Sequence, residues 1–321
     1  MATKDMDASL EGERKQLVEG RAILIAGPTA SGKSALALDL AEACDGVIIN
    51  ADSMQLYEDL RIVSARPSIA EEGRVPHRLY GFLPASTAFS TGAWLRLATQ
   101  EIETVEAEGR TPILVGGTGL YFKALTEGFA ELPEIPEEIR DAARELADRE
   151  GVEGLKKQLS LLGDEAAAQS LADPQRLTRA LEVLQATGKP LSLWQQKAQS
   201  APFLTPDSCT RIVLGPPRSW LHSRIEQRAR LMLEEAGVAE VKRLLALNLS
   251  EKLPAMRAIG VSETRDYLSG TTDLEETVHR LTVATRQYAK RQETWFRNQM
   301  PDWQRVDPSK GIDNDCLWKA G

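Results

Sequence analysis

Gly27-Pro28-Thr29-Ala30-Ser31-Gly32-Lys33-Ser34 is the stretch that decides the fold. It follows a short apolar run, Arg21-Ala22-Ile23-Leu24-Ile25-Ala26, whose length and flanks predict a buried parallel strand. It opens a helical pattern from Ser34 to Ala43. The spacing Gly-x4-Gly-Lys-Ser between a strand and a helix is that of a phosphate cradle. Its glycines let the main chain wrap an anion, successive N–H groups point inward, and the helix N-terminus adds positive potential. Lys33 adds a point charge, and the Ser34 hydroxyl can ligate Mg²⁺. Gly27, Pro28, Thr29, Ala30, Ser31, Gly32, Lys33 and Ser34 are therefore the candidate diphosphate- or nucleotide-binding residues. The cradle does not say whose phosphate it holds.

Working outward, Val47-Ile48-Ile49, Ile113-Leu114-Val115 and Arg211-Ile212-Val213-Leu214 repeat the short apolar pattern. Each is followed by a turn and then a helical pattern, and Thr91 to Glu108 is closed by Gly109. This alternation predicts an α/β domain with a parallel sheet. Between Pro133 and Pro190 only helical patterns occur, which predicts an all-helical insertion at 133–189. The core is then assigned to 21–132 and 190–300, with tails at 1–20 and 301–321. In the second half, Ser219 is expected to cap a helix from Trp220 to Ala236, and a long helix is expected from about Leu274 to Arg297.

The 321 residues suffice for a full core without staples, and 42% apolar with 27% charged residues is the balance of a soluble globular enzyme. No apolar run approaches the roughly 18 residues of a membrane span. The charged first twenty residues lack the apolar segment of a secretory signal. Cys44, Cys209 and Cys316 are scattered and odd in number, against a disulfide framework or a zinc site and consistent with a reducing cytoplasm. The net charge of −8 argues against a broadly basic nucleic-acid binder. It hides an asymmetry: 21 basic against 32 acidic residues up to Thr210, but 15 against 11 from Arg211 to Met300. On charge alone the positive segment reads as a surface helix laced with ion pairs.

A typical P-loop ATPase or GTPase carries a metal-holding Asp at the end of a second apolar strand. The strand at Ile113–Val115 ends instead in Gly116-Gly117-Thr118-Gly119. The strand at Val47–Ile49 leads into Asn50-Ala51-Asp52-Ser53, which aims Asp52 at the carboxyl end of the sheet, where such folds place their chemistry. Asp52 can serve there as a base or as a Mg²⁺ ligand, and spacing leaves both open.

The cradle, Asp52-Ser53-Met54-Gln55, Gly116-Gly117-Thr118-Gly119-Leu120-Tyr121, Asp173-Pro174-Gln175-Arg176 with Arg179, Arg257-Ala258-Ile259-Gly260 and Thr285-Arg286-Gln287-Tyr288-Ala289-Lys290-Arg291-Gln292 occur in one order. Together they resemble the bacterial tRNA dimethylallyltransferase family, over about Ala22 to Arg297. The resemblance implies a P-loop core like that of nucleotide kinases, a helical insertion that binds tRNA, Mg²⁺, and a monomer acting in the cytoplasm. It implies transfer of a dimethylallyl group from dimethylallyl diphosphate to N6 of adenosine 37 beside the anticodon. A cradle of this kind is often described as an ATP site, although the resemblance gives ATP no part as a substrate. One stretch departs from the family pattern: Tyr57 is followed by Glu58-Asp59 rather than soon by Gly, and Val63-Ser64-Ala65-Arg66-Pro67 stands where Gly-Thr-Ala-Lys-Pro is usual.

Carried onto this chain, the resemblance makes Asp52 the base for the N6 proton and Lys33, Thr29, Arg228 and Arg224 the groups that neutralise the leaving diphosphate. Arg224 and Arg228 share one helical face, which by spacing alone is an exposed ion-pair stripe. The target base must be extruded from its stack. The implied tRNA contacts are Asp52, Ser53, Met54, Gln55, Thr118, Arg140, Gln175, Arg176, Leu177, Thr178, Arg179, Arg257 and Lys290, on the anticodon stem-loop. By spacing alone, Arg179 pairs with Glu182. The rival readings are a P-loop small-molecule kinase, which leaves the Arg176/Arg179 and Arg257 motifs unexplained, and an isopentenyltransferase for free adenine nucleotides, which leaves the insertion unexplained. A non-catalytic RNA-binding protein gives no reason for Lys33, Ser34 and Asp52 together.

Overall fold

The computed structural model describes residues 22–130, 132, 135–197 and 201–310. The expected tail at 1–20, Arg21, Pro133 and Cys316 lie outside them. The chain divides into two compact units, one formed by 1–126 with 203–321 and one by 127–202.

The first unit is built on six parallel strands, β1 (Ala22–Ala26), β2 (Gly46–Asn50), β3 (His77–Arg78), β4 (Thr111–Gly116), β5 (Cys209–Leu214) and β6 (Gln304–Val306). They lie in the order β3-β2-β4-β1-β5-β6. The helices of this unit are α1 (Lys33–Ala43), α2 (Ile69–Glu72), α3 (Thr91–Ala107) and α4 (Gly119–Glu127), whose last residue belongs to the second unit. After the second unit come α9 (Arg218–Met232), α10 (Glu235–Ala246), α11 (Val261–Leu268) and α12 (Leu274–Gln299).

The central strands read as continuous apolar runs because both faces are covered. Alternation sorts their side chains cleanly. Leu24, Ile49, Leu114 and Val213 face one core, shared with Trp94 and Ile102 of α3, Phe122 of α4 and Leu281 of α12. Ile23, Ile25, Ile48, Ile113 and Ile212 face the other, covered by Leu36, Ala37, Leu40 and Ala41 of α1. Trp94 is fully buried, stacks on Tyr121 at 4.1 Å between ring centroids, and donates from Nε1 to the Asn50 carbonyl at 2.9 Å. It therefore packs the core and anchors the end of β2.

Two strands escaped the sequence reading because they are too short to show a period. His77 and Arg78 pair with Ile48 and Ile49 at one edge, giving His77 a structural place. The expected tail at 301–321 contains β6, which pairs with β5 through Ile212, Val213 and Leu214 and is anchored by buried Trp303. The helix expected from Trp220 to Ala236 also differs. α9 begins at Arg218, with Pro217 rather than Ser219 as its N-cap, and ends at Met232. Gly237, in the first turn of α10, has the Met232 carbonyl where a Cβ would stand, so the chain reverses too tightly for one continuous helix.

The second unit is all helix: α5 (Glu137–Leu161), α6 (Glu165–Ser170), α7 (Pro174–Thr187) and α8 (Leu191–Lys197). Gly151, at φ 63°, breaks α5 into two pieces. Asp173 caps α7 by accepting from Arg176 N at 2.9 Å, with Pro174 at the first helical position. Ala143, Leu155, Leu159, Leu177, Leu181 and Leu184 form its core. The unit extends past the expected limits of 133–189, since α8 is tied to α7 by the bond from Trp194 Nε1 to Thr187 Oγ1 at 3.1 Å.

Replacing Trp94 by Phe removes the indole donor, leaves the Asn50 carbonyl unpaired and opens a small void. We expect a loss of about 2–3 kcal/mol. Urea unfolding should show a lower midpoint at unchanged slope, and a loss under about 0.5 kcal/mol would mean Trp94 is not the anchor.

Candidate active site

Strands β2, β4 and β1 are neighbours, so their carboxyl ends bring three loops together. Beyond β2, the buried Asn50 side chain accepts from Asp52 N at 2.8 Å and donates to the carbonyls of Asp52 (2.9 Å) and Leu79 (3.0 Å). Ala51 N donates to Val115 O at 2.8 Å and Thr118 N to Ala51 O at 3.2 Å. A Cβ at Gly116 would overlap the Ala51 carbonyl. Asp52 is thus held by main-chain geometry, half-buried, with Oδ1 accepting from Met54 N at 3.0 Å. A Cβ at Gly117 would overlap Gln292 Nε2 and stand 3.1 Å from Oδ2, so only glycine fits between that amide and the acid.

Beyond β1, Ala30 at φ 63° and Gly32 at φ 88° turn the cradle into α1, whose first turn has no acid and no side-chain cap. Its opening N–H groups are left for an anion. A Cβ at Gly27 would come within 2.7 Å of Ser31 Oγ, and that buried hydroxyl has no partner. Lys33 is buried, its Nζ donating to Pro28 O at 3.4 Å. Its ammonium is lowered to about 8, chiefly by burial, with Asp52 opposing the shift and Arg228 adding to it. Arg228 is also desolvated, which pulls its guanidinium below the usual arginine range, against the field of Asp52. It bonds Thr29 Oγ1 with Nη1 and the Val63 carbonyl with Nη2 at 2.8 Å, while its buried Nε has no partner. Buried Lys33 and half-buried Arg228 thus share the field of one carboxylate, a surplus of positive charge suited to an anion. Arg224 is exposed, donates from Nε to Ala30 O at 3.0 Å and lies 4.6 Å over the Trp220 ring.

Two residues that bind these parts together were not singled out in the sequence. Glu240, buried on α10, accepts from the main-chain N–H groups of Arg61, Ile62 and Val63 at 2.9–3.0 Å. It fixes the loop whose Val63 carbonyl receives Arg228. Gln292, buried on α12, accepts from Thr29 N at 2.9 Å and donates to Gly117 O at 2.9 Å. Gln292 lay inside a quoted motif, but no spacing rule marks either residue. Their partners are main-chain groups about 175 to 260 residues away.

The residues assigned to tRNA fall in several settings. Ser53 and Thr118 sit beside Asp52, with Ser53 N donating to Thr118 Oγ1 at 3.0 Å and the two hydroxyls 3.3 Å apart. Met54 packs against the core. Gln55 is buried, and its Nε2 donates to the carbonyls of Ser64 and Ala65, both at 3.0 Å, so its amide donors serve a loop. Leu177 is fully buried in the helical unit and has no side-chain surface to offer RNA. Thr178 donates back to Pro174 O at 2.8 Å, and Arg179 pairs with Glu182 at 3.0 Å, as helical spacing alone foretold. In the same unit Gln175 and Arg176 are exposed, and Arg140 has a buried, unpartnered Nε. In the first unit Arg257, on a 3₁₀ turn, and Lys290 are exposed.

Among the described residues no cluster of three or more His, Cys, Asp or Glu could hold a metal. The Ser34 hydroxyl, in the first turn of α1, is an oxygen donor of the kind a hard cation such as Mg²⁺ takes.

The IPP transferase family profile matches residues 55–299, and the isopentenyl transferase profile matches 20–83. The chain is 49% identical over 311 residues to the tRNA dimethylallyltransferase of Rhodopseudomonas palustris, covering 97% of this chain and 96% of that one. It is 52% identical over 290 residues to that of a Chelativorans species, covering 89% and 98%. Among solved structures, the tRNA isopentenylpyrophosphate transferase of Bacillus halodurans aligns at TM-score 0.65 and 33% identity over 93% of each chain. A eukaryotic dimethylallyltransferase acting on tRNA aligns at TM-score 0.75 and 25% identity, over 89% of this chain and 73% of that one.

The lowered Lys33 ammonium sets a pH dependence. Unliganded protein loses this proton above about pH 8, whereas an anion bound against the ammonium retains it. The complex then holds more protons, so affinity falls as pH rises. Calorimetry with inorganic diphosphate should show the advantage of wild type over Lys33→Met shrinking above pH 8 by up to about tenfold per unit. A ratio flat from pH 7 to 9.5 would refute a titrating Lys33.

Proposed function

Since the chain belongs to the IPP transferase family, that of the tRNA dimethylallyltransferases, we propose that it transfers a dimethylallyl group from dimethylallyl diphosphate to N6 of adenosine 37 in tRNA, releasing diphosphate. The observation that carries this reading is the cationic cradle, in which Lys33 and Arg228 share the field of one carboxylate, Asp52, at the carboxyl ends of neighbouring strands.

The N6 amine is a weak nucleophile because its lone pair is conjugated into the ring, so both ends of the reaction need help. At the leaving group, Lys33, Arg228, the Ser31 hydroxyl and the N–H groups opening α1 meet the charge that develops as the C–O bond breaks. Preorganised donors of this kind contribute about 3 kcal/mol each. Thr29, bonded by Arg228, adds a hydroxyl, and Arg224 guards the outer rim beside Ala30. Ser34 would hold Mg²⁺ together with the diphosphate oxygens. Bound there, the ion supplies charge neutralisation to the leaving group.

At the other end, Asp52 accepts a hydrogen bond from the N6 amine and takes its proton as the C–N bond forms. Adenine reaches it by leaving its stack, since a base within a stacked loop cannot enter a buried pocket. Ser53 and Thr118 are the polar groups beside Asp52 suited to the base edge. Arg140, Gln175, Arg176, Arg257 and Lys290 are the proposed contacts to the anticodon stem-loop, and the protein works as a monomer in this reading.

Labelled dimethylallyl diphosphate supplied with unmodified tRNA or with AMP tests the proposal. Label should enter tRNA, and label entering AMP alone would make the protein a nucleotide isopentenyltransferase. Asp52→Ala should lower kcat about 10²–10⁴-fold with little change in KM for the diphosphate. Weak diphosphate binding with normal turnover would reassign Asp52 to the metal.

A further inference from the structure

We propose that Gln292 is a positioning residue for the transfer, a two-ended clip that fixes the phosphate cradle to the loop beside the acid. This rests on the function proposed above. The ladder between β1 and β4 ends at Ala26 and Gly116. Beyond that pair the two chains diverge, one into the cradle and the other into Gly117-Thr118, and the ladder offers no further rung between them. Gln292 supplies one. Its Oε1 accepts from Thr29 N at 2.9 Å and its Nε2 donates to Gly117 O at 2.9 Å, so a side-chain carboxamide stands where a peptide group would.

The orientation of the amide follows from its partners. Turned over, it would set oxygen against the Gly117 carbonyl and NH₂ against the Thr29 N–H. The residue is only 6% exposed, which makes either mismatch costly. Gly117 completes the fit, since a Cβ there would overlap Nε2 and stand 3.1 Å from Asp52 Oδ2. Amide and acid therefore flank the same missing side chain. At its other end the clip holds Thr29, whose hydroxyl is bonded by Arg228. One rigid group thus sets the separation between leaving group and base, where an error near 1 Å costs about 10²-fold.

Gln292→Met keeps the shape and removes both bonds, whereas Gln292→Glu keeps the acceptor and restores the donor only when protonated. The charged and titratable groups around the clip are Lys33 at the start of α1, Arg228 on α9, which bonds Thr29, Asp52 beyond Gly117, Tyr121 on α4 and Tyr288 one turn back along α12. A buried carboxyl facing the Gly117 carbonyl has its pKa raised, so the folded variant binds more protons than the unfolded chain and its deficit shrinks as pH falls.

The experiment measures Tm, inorganic diphosphate affinity, and kcat and KM for tRNA in wild type, Q292M and Q292E between pH 6 and 8.5. Q292M should bind diphosphate within about fivefold of wild type, keep its KM for tRNA and lose about 10–100-fold in kcat. The Tm and kcat deficits of Q292E relative to wild type should both narrow several-fold toward pH 6. A Q292M kcat within threefold of wild type, or Q292E deficits independent of pH, would overturn the clip. Should Q292M not fold, Q292E at the two pH limits decides. An inactive wild type would defeat the proposed reaction, while the Tm profile of Q292E would still report whether the two-ended bond exists.

Discussion

Past the ends of β2 and β4, two main chains touch with no side chain between them. The Ala51 carbonyl fills the volume that a Cβ at Gly116 would need. Any larger residue there would push the strand ends apart, and with them Asp52 and Thr118. From that contact the arrangement follows outward. Asn50 closes the turn before Asp52, Trp94 holds the Asn50 carbonyl from the core side, and Gly117 makes room for the Gln292 amide beside the carboxylate. Packing and chemistry share one set of atoms, so the acid is placed by the fold rather than by a flexible loop.

Electrostatics then sets what the pocket accepts. Burial works against the charged forms of both Lys33 and Arg228, and Asp52 offsets only part of that. Burial, reinforced by the same carboxylate, pushes the phenols of Tyr80, Tyr121 and Tyr288 well above the ordinary tyrosine range. The phenols around the acid stay neutral, and the unpaired charge on the cradle side is cationic. A multiply charged anion relieves the desolvated cations, so the fold itself carries the field that a departing diphosphate requires.

Much of this was legible in the chain. The cradle spacing, the apolar strands before it and Asp52 after β2 are local patterns with local causes, and the Asp173-Pro174 start of α7 is set by two adjacent residues. What escaped had other causes. β3 and β6 are two and three residues long and exist only because a neighbouring edge accepts them. The break between α9 and α10 depends on the Met232 carbonyl meeting Gly237, a contact that no periodicity announces. Glu240 and Gln292 look like ordinary helix residues until folding delivers distant main-chain groups to them. Gln55 and Leu177 sit in motifs beside candidate site residues, and only burial reveals that one supports a loop and the other a core.

The loop from Arg61 to Pro67 is gripped through its backbone by three residues outside it. Glu240 grips three successive amides, Gln55 takes the carbonyls of Ser64 and Ala65, and Arg228 takes that of Val63. Every one of these anchors is blind to the identity of the side chain it passes. Valine, serine and arginine can therefore occupy places where glycine, threonine and lysine are customary, and the peptide still follows the same path. The main-chain path is thus set from outside the segment. Its own side chains add local ties, Arg61 to the Pro67 carbonyl and Glu72, Ser64 to the Leu60 carbonyl, Arg66 to the Tyr57 carbonyl and Val63 to the core, which a substitution alters without redirecting the peptide.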